Sequence, residues 1–231
     1  MEFFETVEKR RSIRRFTEEV IPESVIEKAL EAAVLAPNSS NTQTWDFYWV
    51  RTPDKKKKIA EYCFNQSAAR TASELIVVVA NPKKWKRSNQ RLINFVKEVK
   101  APKQVVMYYE KLIPFTYSWG PLQIFVPFKW IMTFVIGLFR PITRRPNSKR
   151  DIQEVAIKSA ALAAENFVLA MTAQGYSTCM MEGHDEWRIG CLLKLPCHAR
   201  VVMVIGMGKE AERGTWGPRY RIPTSEVVHK I

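Results

Sequence analysis

Between residues 151 and 174 the chain leaves almost no polar face. Ile152, Val155, Ala156, Ala160, Ala163, Phe167, Ala170 and Met171 recur on all sides of a predicted helix. A helix apolar nearly all round must be buried, and its many alanines let other helices approach closely. Ser148, with Asp151 three residues on, supplies a start signal of capping-box type with an acid in place of Glu or Gln. Gly175 stands where a left-handed residue ends such a helix. The second constraint is the unbroken apolar run over residues 75–80, the mark of a strand covered on both faces. At 231 residues and 46% hydrophobic, the chain is long enough to enclose both elements in one large core. Further strands are predicted over 45–51 and 199–206. Alternation with helices then gives a sheet layered by helices on both faces, one domain over 1–231.

The remaining elements are shorter. Residues 2–9 form an amphipathic segment with Phe3, Phe4 and Val7 on one face. Pro22 suits the first turn of a helix whose Val25, Ile26, Ala29, Leu30, Ala33 and Val34 run on until Pro37. The loop over 37–44, Pro-Asn-Ser-Ser-Asn-Thr-Gln-Thr, contains no glycine. Its amides and hydroxyls can bind a polar heterocycle or simply make turns. A charged helix is predicted over 53–63, ending near Asn65, and 216–231 is an irregular basic tail.

The formal charge of +13 calls for an anionic partner. The basic clusters are dispersed, and no zinc-finger, RNP or helix-turn-helix pattern accompanies them, so nucleic acid is not expected. No glycine-rich loop follows a strand, which excludes a Rossmann fingerprint and a Walker loop. Phosphate binding therefore falls to arginine. Residues 10–16 read Arg-Arg-Ser-Ile-Arg-Arg-Phe. The guanidinium forks match phosphate or carboxylate, Ser12 adds a hydroxyl, and Ile13 and Phe16 are apolar anchors. The plainer reading of the same run is a solvated basic turn. Cys63, Cys179, Cys191 and Cys197 are irregularly spaced, which favours a reducing, cytoplasmic interior over a disulfide framework. His184, His198 and His229 are too far apart to suggest a metal cluster, and the N-terminus has no signal-peptide pattern.

Four stretches occur in a telling order: Arg10-Arg11-Ser12-Ile13-Arg14, the loop from Ala36 to Trp45, Glu182-Gly183-His184-Asp185, and Arg219-Tyr220-Arg221-Ile222-Pro223. Together they resemble the FMN-dependent nitroreductase family over most of the chain except about 83–147. The resemblance implies an α+β fold with a central mixed sheet flanked by helices, built as a domain-exchanged homodimer with two FMN sites at the subunit interface. It implies that Arg10, Ser12 and Arg221 hold the FMN phosphate, with Arg11 and Arg219 lining the same site. Arg14 is then expected at the N1/O2 edge of the flavin. Pro37, Asn38 and Ser39 would meet the flavin from the partner chain, with Asn41 and Gln43 shaping that loop. Asn65 matches the position that bonds the pyrimidine edge, and the Glu182-Gly183 backbone the one that bonds N5 and O4. Thr44 departs from the common proline before the tryptophan, and Ala68 from a lysine found in some relatives.

The implied activity is transfer of electrons from NAD(P)H, through flavin N5, to an electron-poor small-molecule acceptor such as a nitroaromatic or quinone. A cation near N1/O2 would stabilise charge that develops there on reduction. No protein acid or base is required, and His184 is read as structural rather than as a proton donor. The alternatives are a specialised enzyme of the same fold (dehalogenase, flavin-destructase or dehydrogenase type) and a flavin-binding protein without turnover.

Residues 83–147 fall where relatives carry a helical excursion over the substrate pocket. Here they include an apolar run over 121–139 that approaches the ~20 residues needed to span a bilayer. Lys129 near its middle would cost about 2.5–3.5 kcal/mol on insertion scales, and Pro127 interrupts it, so a spanning helix is disfavoured. Two expectations remain open. The run is a lid or dimer-wrapping helix. Otherwise it lies peripherally on an anionic membrane through 119–150, with Trp119 and Trp130 at headgroup depth and Arg140, Arg144, Arg145, Lys149 and Arg150 on the lipid.

Overall fold

The computed structural model describes residues 1–118 and 124–231. Trp119 and the start of the apolar run lie outside the described residues. Four strands form one sheet in the order β1-β2-β4-β3: β1 Trp45–Val50, β2 Glu74–Ala80, β3 Ser177–Met181 and β4 Arg200–Gly208. The resemblance implies a mixed sheet, yet all three ladders are antiparallel. The parallel component is a single bridge from Ser12 to Thr178 on the free side of β3.

The unbroken hydrophobicity of β2 has the expected cause. Ile76, Val78 and Ala80 point into one core and Leu75, Val77 and Val79 into the other, none more than 1% exposed. The first core is closed by α2 (Glu23–Val34) and by α9 (Lys149–Ala173). Ile26, Ala29 and Ala33 there meet Ala156, Ala160, Ala163 and Phe167. The second is closed by α3 (Pro53–Tyr62), α4 (Ser67–Thr71) and α10 (Glu186–Leu192), through Ile59, Ala69 and Ile189. By length and composition α9 could cross a bilayer, but it is the central helix of the first core.

Two expectations shift, and one strand, β3, is not anticipated by the sequence. Helix α1 (Phe3–Lys9) leaves Phe3, Phe4 and Val7 exposed and buries Thr6 instead. Pro22 is the N-cap of α2 rather than its first-turn residue, because its ψ of 135° is extended. Strand β3 carries no β-rich run of its own; its pairing with β4 makes it a strand, a tertiary override of local preference. Within 83–147 the described residues include α5 Trp85–Glu98, α6 Lys103–Met107, a π-turn Tyr108–Leu112, α7 Ile113–Tyr117 and α8 Phe125–Phe139, followed by a non-helical stretch over 140–147. Trp85, Ile113 and Tyr117 of this region pack on Ile152 of α9.

The start of α9 is held by its capping box. Ser148 Oγ accepts the Asp151 N–H at 3.2 Å, while Asp151 Oδ2 accepts the N–H groups of Asn147 and Ser148 at 2.9 and 3.0 Å. Desolvation raises the Asp151 pKa, but these hydrogen bonds and Arg145 outweigh it and hold the carboxyl below its ordinary 3.8. Ser148→Ala should cost about 1 kcal/mol in urea melts. The folded pKa lies below the unfolded one, so Asp151's contribution is complete above pH 3.8 and is lost as pH falls through the folded value. The stability difference between wild type and Asp151→Asn should therefore be constant near neutrality and shrink only in acid.

On β4, a methyl group at Gly206 would lie 2.8 Å from the Ala68 carbonyl oxygen, and one at Gly208 would lie 2.9 Å from Phe16 Cβ. These glycines let α4 and the N-terminal segment seat directly on the sheet. Gly206→Ala should destabilise by about 1–3 kcal/mol, measured by thermal or denaturant unfolding.

Candidate functional site: an arginine cradle closed from both ends

Residues 10–17 run past β3 and the end of β4, tied to their neighbours at several points. Ile13 N–H donates to Thr178 O at 3.0 Å, Arg14 N–H to Gly214 O at 2.7 Å and Thr17 N–H to Lys209 O at 2.9 Å. Ile13 and Phe16 are buried between the arginines. The side chains of Arg10, Arg11, Ser12 and Arg14, but not that of Arg15, meet the tail on one side. A cavity of about 190 Å³ results, lined by Arg10, Arg11, Ser12, Arg14, Pro218, Arg219, Tyr220 and Arg221.

The tail is fixed by the same arginines. Arg219 Nη2 donates to the Arg10 carbonyl at 2.6 Å and also to that of Glu8. Arg11 Nη2 donates to Gly217 O at 2.5 Å. The Arg14 guanidinium lies 4.0 Å from the centroid of the Trp216 ring, and its Nη1 donates to Ser12 O at 3.2 Å. Arg14 also borders Cys179, whose thiol is pushed up by burial and pulled the other way by that guanidinium. On the α9 side, Arg10 Nε is 3.9 Å from Glu165 Oε1. Among the described residues, no carboxylate lines the cavity itself. Five guanidinium groups and a hydroxyl facing about 190 Å³, where one water takes ~30 Å³, suit a phosphate group.

The other expected site residues fall into two further groups. Glu182 and Gly183 follow β3 in an exposed loop, braced by Asp185 N–H on Tyr62 O at 2.7 Å. Asn65 lies beside it with a left-handed φ of +52°. The side chain that reaches the loop, however, is Gln66, whose Nε2 donates to Gly183 O at 2.7 Å. Sequence reasoning missed Gln66, as it missed Pro218, Tyr220 and Trp216. An amide next to Asn65 and aromatics between the tail's arginines were the available signals.

Pro37, Asn38, Ser39, Asn41 and Gln43 form the third group. Asn38 Oδ1 accepts Gln43 N–H at 2.8 Å, and Thr42 Oγ1 donates to Ser39 O at 2.8 Å. Ser40, Asn41 and Gln43 all have left-handed φ, between 46° and 54°, without a glycine. Such outliers cost energy and collect at functional sites. The loop is gripped from the excursion: Ser40 Oγ and Tyr108 Oη are 2.7 Å apart, and Tyr117 Oη donates to Ser39 Oγ at 3.0 Å. Thr44, where a proline is common, is buried with its Oγ1 unpartnered among the described residues. Among the described residues, no hydrogen bond or ion pair joins this loop to the arginine cradle.

A family profile described as "Nitroreductase family" matches residues 7–209. The chain is 29% identical over 213 residues to Protein DrgA of a Synechocystis species, covering 92% of this chain and 86% of that protein. It is 26% identical over 232 residues to an NADH dehydrogenase of Thermus thermophilus, covering 95% and 91%. A nitroreductase-like structure from Exiguobacterium sibiricum, solved in complex with FMN, superimposes with a TM-score of 0.73 at 22% identity, covering 100% and 98%; that likeness speaks to the fold. The profile takes in both the Arg10–Arg14 segment and β4, and on that match this chain is a member of the nitroreductase family.

Proposed function

We propose that the protein is an FMN-dependent NAD(P)H oxidoreductase. The observation that carries this reading is the cradle of Arg10, Arg11, Ser12, Arg14, Arg219 and Arg221, closed from both ends of the described chain, with no carboxylate among its described lining residues. Family membership, the name of the Thermus relative and the FMN complex of the Exiguobacterium structure support it. When bound, FMN supplies an N5 atom that accepts hydride from NAD(P)H and returns electrons to an electron-poor acceptor such as a nitroaromatic or a quinone.

This chain's residues do the holding. The guanidinium forks neutralise the phosphate dianion that a glycine loop would meet with backbone N–H groups. Arg14 is pinned by the Trp216 face and the Ser12 carbonyl, so its charge has one place to act. Gln66 holds the Gly183 carbonyl and thereby orients the backbone of the Glu182-Gly183 loop. The loop over 37–43 carries the donors suited to a polar ring, yet it stands apart from the cradle within one chain. We therefore infer a homodimer in which this loop from one subunit completes the site of the other. The exposed Phe3, Phe4 and Trp216 are available for such a contact.

The purified protein should be yellow or take up added FMN, and anaerobic NADH or NADPH should bleach the flavin band. A preparation that refuses FMN overturns the reading; flavin that stays oxidised with both donors leaves a binding protein rather than an oxidoreductase. Arg221→Ala should weaken FMN binding about tenfold to a hundredfold, as expected for loss of a charge-assisted hydrogen bond, in a fluorescence titration. Light scattering should give twice the 26.8 kDa chain mass; a monomer that still reduces flavin would sink the shared site.

A further inference from the structure

Helix α8 wears its polarity inside out. Its two covered positions are Lys129 and Thr133, 2% and 6% exposed. Phe128, Ile131, Phe134, Val135, Leu138 and Phe139 face outward, from 46% exposed at Phe134 to 85% at Phe139. At about 100° per residue these positions sweep a broad side of the helix. Helices that border water show the opposite arrangement. A lone exposed leucine needs no explanation, but a contiguous apolar face does.

Lys129 shows how the arrangement is kept. Its Nζ donates to the carbonyls of Thr116, at 3.2 Å, and Ser118, and lies 5.1 Å from the centroid of the Phe115 ring. Burial draws its pKa down from the ordinary lysine value. The charge that counts against membrane contact in the sequence is thus turned into the protein and met by carbonyl dipoles. Beyond α8, Arg140, Arg144, Arg145, Lys149 and Arg150 are all exposed, with no acid before Asp151. A cavity of about 600 Å³ joins the two features, its apolar wall of Val126, Pro127, Trp130 and Phe134 opening beside Arg144 and Arg145.

The geometry points to a docking surface for an anionic lipid bilayer, with α8 lying in the plane of the interface and residues 140–150 on the headgroup phosphates. Fifteen residues rise only about 22 Å, short of the ~30 Å hydrocarbon core, so the helix rests in the surface and does not span it. A second copy is the poorer occupant. Pairing two such faces would bring two clusters of five cations together on chains already carrying +13 each. An anionic bilayer accepts the apolar face and the cations at once. The surface is separate from the arginine cradle, so its test does not depend on flavin chemistry.

The test uses the full chain with phosphatidylcholine vesicles, with and without phosphatidylglycerol, at low salt. Binding should be at least about tenfold tighter with the anionic lipid. The difference between wild type and Trp130→Phe isolates Trp130 among seven tryptophans; its emission should move to the blue and be quenched by brominated acyl chains. Leu138→Ser with Phe139→Ser should weaken binding about tenfold or more, with an unchanged thermal melt by circular dichroism. No partition into anionic vesicles overturns the proposal. So does binding that this double variant leaves intact while Trp130 stays unquenched, since mere attraction of a basic surface explains that. Trp130 already shielded from acrylamide without lipid, in step with self-association, would assign the face to a second copy instead.

Discussion

The site depends on the burial of Ile13 and Phe16. Like charges held close repel, and a run of four arginines left to itself would splay into water. Here two apolar side chains sink into the second core at 3% and 5% exposure, and the backbone between them is bonded to β3 and to Ala211 and Gly214 just beyond β4. The energy that gathers the guanidinium groups therefore comes from the sheet rather than from the groups. Gly208 belongs to the same device, since a side chain there would displace Phe16 and with it the register of the arginines.

Much of this was legible in the residues. The apolar run over 75–80 and the alanine-rich stretch after Ser148 announce burial on all sides, and both elements lie where periodicity puts them. The arginine run at 10–15 marks one end of the cradle as a candidate anion site, but Arg219 and Arg221 at the other end are named only through the family resemblance. What could not be read depends on contacts distant in sequence. Strand β3 exists through β4. The apolar side of α1 is left uncovered because the buried partner there is Thr6. Gln66 rather than Asn65 grips Gly183, a choice between adjacent amides that composition does not make; the backbone before Gln66 is left-handed at Phe64 and Asn65. The direction of Lys129 was equally hidden, since a sequence shows a charge in an apolar run but not which way it turns.

The excursion does more than occupy space between β2 and α9. Trp85, Ile113 and Tyr117 root it on Ile152. Tyr108, which opens the π-turn, and Tyr117, at the end of α7, hold Ser40 and Ser39. π-turns of this kind are often found at functional positions. The excursion is thus coupled by hydrogen bonds to the loop over 37–44.

That loop has a thermodynamic character of its own. With no glycine between Pro37 and Thr44, its unfolded forms are fewer than a glycine-rich loop would have, and its left-handed residues are already locked by Asn38, Thr42 and the two tyrosines. A surface so arranged has little motion left to surrender when a ring settles against it. On the proposed reading of this loop as a flavin contact, discrimination between one ligand and another would rest on contacts alone, and the loop would serve as a rigid template rather than a closing flap.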